Sequence, residues 1–289
     1  MPKTSLWLIG GLFLATPANL LAQTTDPTLN ADAPFVRNIR PDRPGRTITT
    51  NMVPLGQVQI DAGTNRFEPA TTTGFGPNRT LSGATLRIGL PSHIELRLTQ
   101  GYLHPTDKLA AASTMITGND FEVPVPSASL PGGFMPLTVG AKFLASTVPN
   151  ARSQVVLLGE LTLRNGNTSF PNKVLEPGAR LLVSQQLGQR YGLEANLGFR
   201  QRGFRAADTK LGTYLGTLAL NGPLGGNFGF FAETYTTWQR ESKLAPGATA
   251  GVYWRPLPNL RFDLNAGQGF TREAEGLSVG AGFSVRLPK

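Results

Sequence analysis

Cysteine is absent from the 289 residues, so no disulfide stabilises the fold, and there is neither a thiolate nucleophile nor a cysteine ligand for a metal. Histidine is almost absent too. His93 and His104 stand apart, not at ligand spacing, and no metal site is expected from them. Long uncharged apolar runs are missing beyond the extreme N-terminus, which excludes a helical membrane protein. Blocks of like charge are missing as well. The net charge is +9, yet Arg and Lys are scattered singly, with no basic stripe interleaved with stacking aromatics, so no nucleic-acid partner is expected. No GxGxxG precedes a helix and no Walker sequence occurs, so the glycines of GGFMPLTVG and GPLGGNFG read as loop and strand flexibility and no cofactor is expected.

What is present divides into three parts. Residues 1–22 read as a signal peptide: Lys3 in the n-region, LWLIGGLFLA (Leu6 to Ala15) as the apolar core, and a cut after Ala22 or after Ala18. Residues 23–52 form a Pro- and Arg-rich arm, with Arg37, Arg40, Arg43 and Arg46 at near-regular spacing and too little apolar surface to fold alone. Two courses are open to it: a mobile periplasmic arm, or a fold back of Arg40 to Arg46 to the barrel mouth or lumen to meet carboxylates. Residues 53–289 carry the strands.

The stretch Thr80 to Tyr102 sets the pattern. Leu86, Ile88 and Leu90 alternate with Thr85, Arg87 and Gly89; after Pro91-Ser92-His93, Ile94, Leu96 and Leu98 alternate with Glu95, Arg97 and Thr99. The same period of two runs through Gly56–Phe67, Leu137–Phe143, Val155–Leu163, Ala179–Leu187, Leu193–Phe199, Asn227–Thr236, Ala248–Trp254, Leu260–Ala266 and Leu277–Leu287. Lys210–Leu220 is ambiguous in register because both faces are partly apolar.

This predicts an all-β chain of about twelve antiparallel strands. Connections alternate between short (91–93, 188–190) and mostly long (68–79, 103–135), with both termini at the short-turn side, the layout of a transmembrane β-barrel with periplasmic turns and extracellular loops. An Arg or Lys facing lipid at the midplane costs ~2–4 kcal/mol, so the charged face must turn to the lumen. The lumen-lining candidates are Asp61, Arg87, Glu95, Arg97, Lys142, Glu160, Arg164, Arg180, Glu194, Arg200, Glu233, Arg261, Asp263 and Arg286. They either fill the interior as ion pairs, Arg87 with Glu95 for example, or form a polar constriction that selects solutes. Phe67, Tyr102, Phe143, Tyr191, Phe199, Trp238, Trp254 and Phe270 near strand ends are girdle candidates. The 103–135 loop holds a helix-compatible LAAASTMI stretch and is a candidate lid or constriction.

The segments IRPDRPGRTITTNMVPLGQVQIDAG (Ile39 to Gly63), TLRIGLPSHIELRL, PLTVGAKF (Pro136 to Phe143), VVLLGELTL (Val155 to Leu163), FFAETY (Phe230 to Tyr235) and PNLRFDLNAGQGF (Pro258 to Phe270) resemble the outer-membrane transporter family named for the meta-pathway of phenol degradation. The similarity covers Ile39 to Phe283. It implies passage of small molecules across the outer membrane, with aromatic or hydrophobic compounds as candidate cargo. Expected partners are outer-membrane lipid, the solute and the outer-membrane assembly machinery. The chain ends Arg286-Leu287-Pro288-Lys289 rather than on the aromatic that such machinery often reads, a departure from the pattern.

The alternative from another class is a non-conducting structural or adhesive surface barrel. A barrel hydrolase would need a serine beside a histidine base, and His104 with Ser113 or another loop serine is the candidate pair. No catalytic residue is assigned, and the chain reads as a channel rather than an enzyme.

Overall fold

The computed structural model describes residues 39–67, 79–105, 115–118, 121–124, 132–145, 152–165, 175–188, 190–202, 211–239, 243–271, 274 and 276–287. The signal-peptide stretch, Ser113 and the first part of the arm lie outside these residues. Among the described residues there are fifteen strands. Twelve make the barrel wall: β1 (Val58–Phe67), β2 (Arg79–Leu90), β3 (Ile94–Leu103), β7 (Thr138–Leu144), β8 (Ser153–Thr162), β9 (Glu176–Leu187), β10 (Tyr191–Arg202), β11 (Leu211–Gly225), β12 (Phe228–Gln239), β13 (Ala245–Leu257), β14 (Leu260–Gly269) and β15 (Leu277–Leu287). The other three are short: β4 (Met115–Gly118), β5 (Phe121–Pro124) and β6 (Gly133–Phe134).

Each wall strand pairs antiparallel with its sequence neighbour in the ring, and β1 pairs with both β2 and β15, so the sheet closes. Val58 stands opposite Leu287 on one side and Ile88 on the other. Closure matters because an open edge in lipid would strand backbone N–H and C=O groups at several kcal/mol each. β7 is the shortest wall strand, at 7 residues. There Ile94–Thr99 of β3 pairs with β7, and Tyr102 and Leu103 pair instead with Phe134 and Gly133 of β6. Gln100 Nε2 bridges the change of partner by donating to Met135 O at 2.5 Å.

Period two sorts the side chains as the sequence requires. Leu157, Leu181, Leu197, Leu264 and Phe283 are exposed on the outside, whereas Asp61, Arg87, Glu95 and Lys142 are buried inside. In β11 the ambiguity resolves with Thr213, Thr217 and Ala219 buried and Tyr214, Leu218 and Leu220 exposed. Aromatic rings stack across neighbouring strands near both ends of the wall: Tyr214 on Trp238 at 4.9 Å, and Phe228 on Trp254 and Trp254 on Phe262 at 6.3 and 5.8 Å. Such rows of amphipathic rings suit the membrane interface. Phe67, expected in that girdle, instead shares the register of Asp61 on the inner face, because three steps of two separate them on the same strand.

The helix-compatible stretch also departs from expectation at its end. Met115 and Ile116 belong to β4, paired antiparallel with Val123 and Pro124 of β5. A β-branched Ile-Thr followed by Gly118 suits a hairpin better than a helix end.

Candidate functional site

The site is the lumen, and its most consequential occupant is the chain itself. From Ile39 onward the arm lies inside the barrel. Ile39 N–H donates to Pro258 O (2.8 Å) at the short-turn end, and Leu55 bridges to Gly89 just before β1 begins. Between those points the arm sweeps around the inner wall.

Near its start Arg43 meets Asp263 of β14 at 3.2 Å and donates to Ala281 O at 3.1 Å. Its guanidinium lies on Gly63 and Gly282, where a Cβ would overlap it, so the inward glycines of β1 and β15 leave its berth. The backbone N–H groups of Arg46 and Thr47 both donate to the Glu233 carboxylate of β12. Thr47 Oγ1 hydrogen-bonds Thr217 of β11 at 2.8 Å. At Ile48 the arm is held as a strand would be. Its N–H donates to Asn196 Oδ1 (2.7 Å) and its carbonyl accepts from Asn196 Nδ2 (3.0 Å), while its side chain packs with Val156, Leu158 and Leu182. Thr49 Oγ1 donates to Glu194 (3.0 Å), Thr50 reaches Gln154 and Ser184, and Val53 N–H donates to Glu95 Oε2 (2.8 Å).

The tightest contact is ionic. Asp42 pairs with Arg97, with Lys142 Nζ at 3.0 Å and with Arg87 Nε at 3.5 Å. Arg87 also reaches Glu95 at 2.8 Å and Asp61 at 3.3 Å, and gives Nη2 to Asn51 O at 2.7 Å. Lys142 Nζ donates to Thr49 O at 2.9 Å. Three carboxylates thus face three cations, all buried, with arm carbonyls taking spare N–H donors. Burial alone would raise the Asp42 carboxyl, but Arg87, then Arg97 and Lys142, hold it well below the usual carboxylate range.

The arm separates two open spaces. Toward the long loops lies a cavity of about 450 Å³, walled by Arg97, Glu160, Arg180, Arg200, Leu215 and Met135, with Asp42, Arg43 and Ile48 of the arm as its floor. Toward the short turns lies one of about 600 Å³ that includes Arg40, Arg152, Arg190, Glu194, Glu233 and Arg261.

Of the sequence candidates, Asp61, Arg87, Glu95, Arg97 and Lys142 form the clasp on Asp42, and Glu194, Glu233 and Asp263 hold the arm elsewhere. Glu160, Arg180 and Arg200 form a separate cluster, with Arg180 and Arg200 both on Glu160 Oε2 at 3.3 and 3.5 Å. Arg261 donates to Arg43 O (3.4 Å) and lies over the Tyr253 ring, and Arg286 is buried on the inner register of β15. Arg164 does not join them. β8 ends at Thr162, and Arg164 is exposed beyond it. Asp42, Asn196 and Ile48 were not among the sequence candidates; the one available signal was Asp42 as the acid within the arginine-spaced stretch.

His104 Nε2 lies 2.8 Å from Ser82 Oγ, which in turn lies 2.8 Å from Thr64 Oγ1. The third member touches the serine rather than the far ring nitrogen. The Ser–His–acid order that activates a nucleophile is therefore absent among the described residues.

A closed twelve-stranded ladder, an apolar aromatic exterior, a charged interior and loops sorted by end define an outer-membrane β-barrel whose lumen is occupied by its own N-terminal arm. Residues 41–287 match the family described as "Putative MetA-pathway of phenol degradation", and the chain belongs to that family. The fold is similar to the crystal structure of an outer-membrane channel from Pseudomonas putida F1, at 11% identity and TM-score 0.64, covering 85% of this chain and 99% of that one. It is also similar to the NanC porin, at 8% identity and TM-score 0.54, covering 80% of this chain and 100% of that one. No curated protein matches the chain.

Proposed function

We propose that the protein is a passive outer-membrane channel for small solutes, aromatic or hydrophobic compounds among them, in which the N-terminal arm is the element that closes the lumen. The observation that carries this reading is the pair of cavities, about 450 and 600 Å³, that meet the same arm residues, Arg43 and Gly45, from opposite sides. Displacing a non-strand segment would join them without breaking a single wall ladder. The lumen candidates then divide between holding the arm and lining the path, and the solute undergoes no chemistry. Likeness of fold to an outer-membrane channel and to a porin supports the reading.

A second reading has its own observation. The clasp on Asp42 is charge-balanced and buried, as a permanently filled structural barrel would require. Single-channel recording of the refolded protein in a planar bilayer separates the two. Discrete conductance steps support the channel. A silent protein that is nonetheless strand-rich and heat-modifiable in gel mobility supports the structural barrel.

A further inference from the structure

The cavity on the long-loop side carries a charge arrangement unlike the clasp beneath it. Arg180 of β9 and Arg200 of β10 direct their guanidiniums at one oxygen of Glu160 on β8, Oε2, at 3.3 and 3.5 Å. One carboxylate cannot neutralise two cations, and a guanidinium brings five N–H donors to a contact that uses few of them. Among the described residues neither arginine has another carboxylate within ion-pair distance. Both remain partly open, with side chains exposed by 19% and 26%, so their free donors face the cavity. Arg97, on the same wall, is 4% exposed, and its Nε is buried with no hydrogen-bond partner.

The apolar part of the cavity is adjacent in register. Gly198 pairs with Arg180 on one side and with Leu215 on the other. A Cβ at Gly198 would crowd the Arg180 stem, so the glycine gives that stem room between Glu160 on β8 and Leu215 on β11. Met135 on the rim and Ile48 of the arm are further apolar residues lining the same 450 Å³ space. A cationic pair with unused planar donors, next to an apolar wall, matches a carboxylate attached to a compact apolar body.

We propose that Arg180 and Arg200 form a carboxylate-binding site in the long-loop vestibule, taking small amphipathic monoacids whose apolar body rests on Leu215 and Met135. Glu160 gathers the two guanidiniums at one oxygen and competes with the visitor, and Arg97 extends the positive field toward the arm. The proposal rests on the channel reading in that it names the solute class the channel accepts first, but binding at the site does not require conduction.

The test is titration calorimetry of the refolded full chain in detergent with benzoate, and with benzamide as its neutral counterpart of the same shape. Saturable benzoate binding, with benzamide at least about ten-fold weaker, is expected from charge-assisted donors. Arg180→Gln with Arg200→Gln should bring benzoate down to the benzamide level, whereas Glu160→Gln should tighten benzoate by removing its competitor. Heat-modifiable gel mobility verifies that each variant is a folded barrel, and the opposite signs of the two changes keep a damaged vestibule from imitating the result. Equal binding of benzoate and benzamide, or benzoate binding indifferent to all three substitutions, overturns the proposal. A bilayer that stays silent while benzoate still binds with these signs upholds the site and overturns the channel reading alone.

Discussion

Two charge clusters share one lumen and are built on opposite principles. Around Asp42, the carboxylates of Asp42, Asp61 and Glu95 meet the cations of Arg87, Arg97 and Lys142, all buried. Around Glu160, one carboxylate meets two partly open arginines. Balance with burial marks a structural joint, because an unpaired buried charge costs far more than a pair returns. Imbalance with access marks a surface that waits for a counter-ion. The same residue types, placed on the same inner face by the same period of two, therefore serve two purposes that residue type alone does not distinguish.

The largest expected effect breaks the balanced cluster. Arg87→Ala would leave Asp42, Asp61 and Glu95 short of their shared cation, and removing one partner of a buried network costs about 3–5 kcal/mol. We expect a clear fall in urea-unfolding stability together with larger conductance as the arm loosens. Arg180→Gln, in the open cluster, leaves Glu160 its second arginine and should cost less stability than Arg87→Ala. It should lower the preference for anions measured by reversal potential in a salt gradient. If the two substitutions behaved alike in both assays, the distinction between joint and vestibule would fail.

Next in size is Ile48→Ala, which removes the arm's apolar anchor from Val156, Leu158 and Leu182. Truncating a buried Ile costs about 2 kcal/mol or more, so limited proteolysis should cut the arm faster while the barrel stays intact. An unchanged cleavage rate would show that the ionic clasp alone seats the arm.

Acidity sharpens the same point. Asp42 is held below its ordinary value by its cations, so its contribution to seating is present above the free carboxylate range, about 4, and is lost as pH falls through the lower seated value. Loosening through Asp42 should therefore be confined to acid below about pH 4 and be read there as a rise in conductance. Smallest of all is Arg164→Ala, expected to alter stability by less than about 0.5 kcal/mol and selectivity not at all, since that residue is exposed beyond β8.

The wall was legible in the sequence because lipid and lumen impose opposite demands on alternate residues. Arg87, Glu95 and Lys142 could be sorted from Leu86, Ile94 and Phe143 by position alone. β11 was not, because Leu215 faces in while Leu218 and Leu220 face out, and only pairing with β10 and β12 fixes which set meets lipid. Arg164 continues the alternation of Glu160 and Thr162 beyond the end of β8, where it is exposed. The course of the arm was open for a different reason. Its Pro-rich stretch has no period, and its anchors lie far away in sequence, Asp42 from Lys142 by 100 residues and Ile48 from Asn196 by 148. Such contacts exist only once the ring has closed.

Single-channel conductance of the chain from residue 23 onward beside a version that starts at residue 53, both verified as heat-modifiable barrels, tests the central claim most directly. If the arm is the closing element, the longer chain shows small or rare openings and the shortened chain shows large, steady ones. Equal conductance from the two would place the path elsewhere and leave the arm a structural filling.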